Sequence, residues 1–217
     1  PMQNIGAYGV ELSSKLLSVE AVNLLTNELI QFNKKKCQFS YRESIFKREK
    51  KFLITSISLK LSRDTKTETS YKSLKKYLID DDINPSLANP FQVCRAVSSL
   101  RDVLLPDPYL VPNVGSFFKN LLLDKDQLTN LRKQEKDVPF FEEKKGATYK
   151  VPTAFLIEKA GWKGRRIGNI RISKNHSLVL ILEGESSIEE ILEFSSSLSE
   201  DIYRKYGLAL EIEPNII

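Results

Sequence analysis

Apolar and polar residues alternate most cleanly between positions 52 and 61. Ile57, Leu59 and Leu61 share one side there, and Ser56, Ser58 and Lys60 the other. That period of two belongs to a pleated strand. Upstream, 17–24 and 28–32 form two more strand-like runs, and Thr26-Asn27 between them predicts a hairpin. A period nearer 3.6 takes over after Asn89, where Val93, Val97, Leu100 and Leu104 recur on one side. Asn89 suits the cap of that helix and Pro90 its first position. Pro106-Asp107-Pro108 then stops it, because proline restricts both its own backbone and its predecessor's. A domain boundary is expected at that point.

Beyond the boundary the pattern is α+β. A short helix is expected over 153–160, closed by Gly161, with strands over 167–172 and 178–182. A long amphipathic helix starts near Ser187 and carries Ile188, Ile191, Leu192, Leu198 and Ile202 on one side. Gly207 ends it in the usual position just past a helix terminus. The last strand is expected over 208–213. In contrast, 3–9 (Gln3-Asn4-Ile5-Gly6-Ala7-Tyr8-Gly9) is glycine-punctuated and predicts a loop whose backbone can approach something closely.

Composition narrows the function classes. With 41% apolar and 28% charged residues in 217, a packed core is within reach. No run of about 18 apolar residues occurs and no secretory leader opens the chain, so neither a membrane span nor export is expected. Pro1-Met2-Gln3 begins inside a motif, and a missing amino terminus is the expectation. Cys37 and Cys94 make no zinc or redox spacing, so two reduced thiols and no metal site are expected. The formal net charge is +5, and the lysines are scattered through runs such as Lys34-Lys35-Lys36, 47–51 and Lys144-Lys145, with acids nearby. No aromatic residues interleave them as a nucleic-acid platform needs, so they are expected to be solvated surface.

Three places hold candidate chemistry. Gly115-Ser116-Phe117-Phe118-Lys119-Asn120 packs a hydroxyl, a cation and an amide behind a proline-rich turn. By residue type alone Ser116 is a nucleophile, a proton donor or a turn former, the last being the commonest. The nucleophile option is weakest: His176 is the sole histidine, and no G-x-S-x-G surrounds the serine. Arg42, in Tyr41-Arg42-Glu43-Ser44, offers a planar fork for carboxylate or phosphate, or else an exposed pair with Glu43. Glu211 and Glu213, two apart on an extended segment, project to one face, which costs energy unless that face is wet or functional.

Taken in order, 3–9, Tyr41-Arg42-x-Ser44-Ile45-Phe46-Lys47, Leu105-Pro106-Asp107-Pro108, Gly115–Asn120 and Leu210-Glu211-x-Glu213 resemble the motifs of the UDP-N-acetylenolpyruvoylglucosamine reductase family. The likeness covers essentially the whole chain. Ser70-Tyr71-Lys72-Ser73-Leu74 resembles the tyrosine-bearing loop of the family's first type. The resemblance implies an α+β protein: the second lobe of a vanillyl-alcohol-oxidase-like FAD-binding domain (1–105), a smaller α+β substrate-binding domain (106–207) and a returning C-terminal strand (208–217). It implies a cytoplasmic, monomeric enzyme that uses FAD and NADPH, acts on a UDP-sugar, and has neither nucleic-acid nor membrane partners.

By the same resemblance, NADPH reduces the flavin, whose N5 hydride then adds to C3 of the substrate's enolpyruvyl group while a proton reaches C2. Negative charge develops on the adjoining carboxylate and calls for preorganised cations and donors. Arg42 and Glu213 would stabilise that intermediate, and Ser116 would donate the proton as a general acid. Gln3, Asn4, Gly6 and Tyr8 would contact the flavin, with Ile54 either near the flavin ring or a core strand residue. Tyr71, Asn120, Lys163 and His176 would contact the substrate, Lys163 being otherwise a solvated lysine and His176 a satisfied surface histidine. Two departures stand out: Leu104 occupies a common lysine position, and Asn215 a common arginine position. The glycine-rich turn and first flavin lobe are expected before Pro1, so the chain alone is expected to bind FAD poorly. Three alternatives share some of these features: another flavin oxidoreductase of the same fold, a basic nucleic-acid module, and an inactive remnant of the reductase.

Overall fold

The computed structural model describes residues 1–63, 66–143 and 146–216; the expected solvated run Lys144-Lys145 lies outside the described residues. The chain forms two compact units, Pro1–Arg101 and Asp102–Ile217, each mixing helices with small antiparallel sheets.

The first unit is built on a three-stranded antiparallel sheet in the order β4-β3-β5, with β3 at Leu16–Asn23, β4 at Leu29–Asn33 and β5 at Phe52–Leu59. Val22 pairs with Leu29 across the hairpin, and Asn27 adopts φ +59° in the turn that the sequence marks. A register shift falls between Glu20 and Ala21 where β3 meets β5, and such bulges sharpen local twist. One face buries Leu16, Val19, Ala21, Phe32, Cys37, Phe46 and Phe52, with Phe32 edge-on to both Phe46 and Phe52. Phe46 comes from a single-turn helix, α1 at Ile45–Arg48, capped by Ser44.

The expected loop 3–9 is in part a minimal hairpin, β1 at Gly6–Ala7 paired with β2 at Val10–Glu11. Two residues per strand lie below what alternation can reveal. A second small core in this unit joins α2 (Lys72–Asp80) to α3 (Pro90–Leu104) through Leu74, Leu78, Ala88 and Ala96. Asn89 and Gln92 exchange side-chain hydrogen bonds at 2.9 Å each, closing the α3 entrance as a capping box.

The second unit has one core. It includes Phe117, Phe118, Leu131, Val151, Leu156, Trp162, Ile172, Phe194, Leu198 and Ile202. A sheet in the order β6-β8-β7 (Leu121–Leu123, Thr148–Val151, Phe141–Glu143) frames α4 at Lys125–Gln134. The sequence patterns above mark no element over 121–151. Its strands are three or four residues long, and α4 is announced only by the reciprocal Asp124–Gln127 cap. After α5 (Thr153–Lys159) comes a sheet ordered β11-β10-β9.

The single strand expected over 167–172 is two strands, β9 at Arg166–Ile167 and β10 at Ile170–Ile172, because the chain reverses at Gly168, φ +58°. The strand expected over 178–182 is shorter, β11 at Leu180–Leu182. Helix α6, Ile188–Tyr206, starts where expected, capped by Ser187, and ends on left-handed Gly207. The expected strand 208–213 shrinks to one bridge, Phe118 with Ile212, because only a short run of backbone finds partners there.

Candidate functional site

In the second unit the chemistry gathers on one extended strip, Ser116–Asn120. Asn113 opens it: its amide bonds the carbonyls of Pro106 (3.1 Å) and Val111 (2.8 Å), while its Oδ1 accepts from Gly115 N–H at 2.9 Å. Gly115 sits at φ +73°, a backbone state that glycine adopts without strain. The strip then changes partners midway. Ser116 faces Val179, and the Phe117 N–H donates to Leu178 O at 2.7 Å. From Phe117 onward the partner is the C-terminal segment: Glu213 N–H donates to Phe117 O at 2.8 Å, and Lys119 N–H to Glu211 O at 2.9 Å. Ser116 is thereby held half-buried, between one chain segment that follows His176 and another that ends in Glu213.

Glu213 is only 9% exposed. Its neighbour on the strip, Lys119, is 5% exposed and ion-paired through Nζ to Glu211. Of the two acids of Glu211-x-Glu213, Glu211 is therefore paired with a buried cation. Sequence reasoning named the carboxylates and did not name Lys119 as the partner of Glu211. The signal was available: two acids on one face of a half-buried strand need a positive charge nearby. Asn120 Oδ1 accepts the Thr153 N–H at 3.2 Å, and Thr153 Oγ1 donates to Lys119 O at 2.7 Å. Helix α5 thus anchors the end of the strip.

His176 lies in a tight turn whose Ser173 Oγ accepts its backbone N–H, and its own Nδ1 accepts the Leu178 N–H at 3.3 Å. That bond leaves the lone pair on Nδ1 and the proton of the neutral ring on Nε2. Burial, and to a lesser degree the Lys163 charge, hold the ring below the usual histidine range against the opposing pull of its backbone. Lys163 itself bonds both oxygens of Glu158, at 2.9 and 3.0 Å. Ser116, Asn120, Glu213, His176 and Lys163 thus all belong to this unit. The first three lie on or against the strip, and His176 sits at the turn that feeds its partner.

The remaining candidates belong to the first unit. Arg42, at φ +54°, donates through Nη2 to the Gly6 carbonyl at 2.7 Å and lies over the Tyr41 ring. Asn4, at φ +45° and 1% exposed, donates to Glu11 (3.0 Å) and to Ser40 O (3.1 Å), and accepts from Ser13 N–H (3.0 Å). Its amide is occupied within the protein and ties the 1–14 segment to the 38–48 segment. Ser44 adds a further tie to the Met2 carbonyl.

Tyr8, at φ +50°, meets Tyr71 edge-on at 5.2 Å, and burial raises its hydroxyl pKa above the ordinary tyrosine value. Three non-glycine residues with left-handed backbones therefore share one small region, a form of strain that clusters at binding sites. Gln3 belongs to the same opening segment, half-buried and partnered. Ile54 does not belong to this region: it pairs with Ala21 and packs on the sheet core.

Residues 107–217 match the family model described as UDP-N-acetylenolpyruvoylglucosamine reductase, C-terminal domain. The whole chain aligns at 40% identity with the UDP-N-acetylenolpyruvoylglucosamine reductase of Flavobacterium johnsoniae, covering 64% of that protein. It aligns at 37% with that of Pseudomonas savastanoi pv. phaseolicola, covering 63%. The chain therefore spans less than two-thirds of the length of these curated relatives. Among solved structures, the crystal structure of UDP-N-acetylenolpyruvylglucosamine reductase from Thermus caldophilus superposes with a TM-score of 0.59 over 99% of this chain and 57% of that one. Identity there is 18%, so the likeness is one of fold.

Proposed function

The chain belongs to the UDP-N-acetylenolpyruvoylglucosamine reductase family, and from that membership we propose that it serves a flavin-dependent reduction of the enolpyruvyl ether of UDP-N-acetylglucosamine to UDP-N-acetylmuramate. The observation that carries the reading is Ser116, held half-buried on a strip whose other partner segment brings the buried Glu213 carboxylate. Protonation at C2 needs a donor kept in place with little water around it, and a hydroxyl is acid enough only toward a strongly basic carbanion. Ser116 is that donor. Glu213 and Arg42 stabilise the charge that spreads onto the substrate carboxylate. Asn120, Tyr71, Lys163 and His176 hold the nucleotide sugar. In this role His176 is neutral and donates from Nε2, while Lys163 supplies positive charge for a diphosphate.

FAD, reduced by NADPH, supplies the hydride when bound. The strained region around Asn4, Tyr8 and Arg42 fits the edge of such a site, since hydrogen bonds over-determine its backbone. Gln3, Gly6 and Tyr8 would make the contacts, while Ile54 packs on the sheet core. Asn4 would act by shaping the loop, its amide being already engaged. In domain terms, 1–105 is the second lobe of a vanillyl-alcohol-oxidase-like flavin domain, 106–207 the substrate-binding domain and 208–217 the returning segment. The enzyme works as a monomer in the cytoplasm. Leu104 and Asn215, at common lysine and arginine positions, leave more of the anion binding to Lys119 and Lys163.

The test is NADPH oxidation that depends on the enolpyruvyl nucleotide, measured on the chain and on the frame extended upstream of Pro1 with FAD added. Ser116→Ala is expected to slow turnover about 10²- to 10⁴-fold while NADPH still reduces the flavin. Turnover of the variant at the parent rate would overturn the assignment.

A further inference from the structure

We infer that Asn113 is a positioning residue for Ser116: its side-chain amide fixes the backbone joint at Gly115 from which the serine hydroxyl is aimed. The inference rests on the proton-donor role proposed for Ser116 and deepens it. Among the described residues nothing accepts from or donates to the Ser116 hydroxyl. Its direction is therefore set by the backbone on either side. Downstream the anchor is firm: Phe117 lies buried in the core, and its N–H donates to Leu178 O at 2.7 Å.

Upstream, packing supplies no such anchor. Among the described residues the core of this unit takes none from 106–116, and Tyr109 and Leu110 are 95% and 81% exposed. Pro106, Pro108 and Pro112 bring no backbone N–H to a ladder. A Cβ at Gly115 would meet nothing within 4 Å, so no neighbouring atom confines a joint that glycine leaves free to turn. Hydrogen bonds have to hold this segment. The Asp107 carbonyl closes a local turn, accepting the Leu110 N–H at 3.1 Å and the Val111 N–H at 2.8 Å. Pro112 O accepts the Leu182 N–H at 3.0 Å.

Asn113 joins that turn to the strip. Its Nδ2 donates to Pro106 O at 3.1 Å and to Val111 O at 2.8 Å, so one side chain grips the turn at its two ends. Its Oδ1 accepts the Gly115 N–H at 2.9 Å, next to the φ of +73°. A primary amide offers two donors beside an acceptor, and here all three are engaged. An aspartate would keep the acceptor but turn its second oxygen on two carbonyls. The consequence is geometric. Proton delivery needs the donor in near-attack placement, and a displacement of about 1 Å costs up to about 10²-fold in rate.

Asn113→Ala, Ser116→Ala and the double variant, each in the FAD-loaded enzyme, test the inference. Alone, Asn113→Ala is expected to lower kcat for the enolpyruvyl nucleotide by about tenfold to a hundredfold. KM, and flavin reduction by NADPH, should stay within about threefold of the parent. In the Ser116→Ala background the same change is expected to alter kcat by less than about threefold, since no hydroxyl remains to be misplaced. A merely structural role would lower kcat equally in both backgrounds. That result, an unchanged kcat, or a loss carried by KM overturns the inference.

A second measurement is independent of turnover. Nuclear magnetic resonance of the 217-residue chain should show the Gly115 N–H exchanging with solvent at least about tenfold faster in Asn113→Ala, with the amides of α6 unaltered. Unaltered exchange at Gly115 means that the amide does not hold the joint, and the inference fails. Faster exchange spread over α6 as well marks a general loss of structure and overturns the positioning role. If the unmutated enzyme does not turn over this nucleotide, the proposed function fails, while Gly115 exchange still decides whether Asn113 fixes the joint.

Discussion

Asn4 offers the sharpest stability prediction because every part of its contribution is visible. Asn4→Ala removes two donated bonds, to Glu11 and Ser40 O, and one accepted from Ser13 N–H, all between 3.0 and 3.1 Å. A net contribution of about 1 kcal/mol per bond must be discounted for Glu11 and Ser40, which are exposed and rehydrate. The half-buried Ser13 N–H keeps its full cost. Alanine would also have to adopt φ +45°, which adds about 1 kcal/mol. The expected loss is roughly 3 kcal/mol, and it should fall on the first unit alone. Hydrogen exchange with mass-spectrometric readout on peptides from 1–60 and from 120–210 separates the units. Faster exchange should appear in the first set and not in the second. Asn4→Gly, which removes the side chain without the backbone strain, should recover about 1 kcal/mol of the deficit. A loss below about 1 kcal/mol, or one spread equally over both sets, would refute the idea that this amide ties the opening segment down.

Other outcomes follow from single residues of the second unit. The His176 ring has a depressed pKa in the fold, so the unfolded chain takes up its proton first as pH falls. Stability should therefore decline below about pH 6.5 until the folded ring itself protonates. His176→Gln should flatten that limb in urea titrations between pH 6.5 and 5, above the range in which Glu183, held low by its bond to Arg171, begins to count. Gly207→Ala should cost about 1 kcal/mol, measurable as a lower melting temperature. Its added Cβ would meet nothing within 4 Å, so the whole effect is the φ of +68°. Gly6→Ala acts by the opposite route. Its Cβ would lie 2.9 Å from Glu11 Cγ, 3.1 Å from Val10 O and 3.3 Å from Arg42 Nη1, so it should push apart the β1–β2 hairpin and crowd the Arg42 side chain. The readout is a loss in kcat/KM for the enolpyruvyl nucleotide accompanied by slower flavin reduction, since Gly6 is also a proposed flavin contact.

Local signals in the sequence carried the elements whose chemistry is local. The alternation through β5, the turn at Thr26-Asn27, the Asn89 cap, the helix start near Ser187 and the Gly207 stop are each set by a few neighbouring residues, and each appears where those residues require it. The motif order was equally legible, and the family match over 107–217 agrees with it. Elements too short to show a period were hidden: the hairpin of β1 and β2, the strands around α4, and the reversal at Gly168 that divides one expected strand in two. The sequence also named Glu211 and Glu213 without showing what Glu211 meets. Lys119 is 92 positions from Glu211, and no local rule joins residues so far apart. Only the tertiary fold lays the 116–120 strip beside the 211–213 segment and so puts a buried cation against Glu211. Burial of charge and long-range pairing depend on which segments become neighbours, which no stretch of sequence specifies alone.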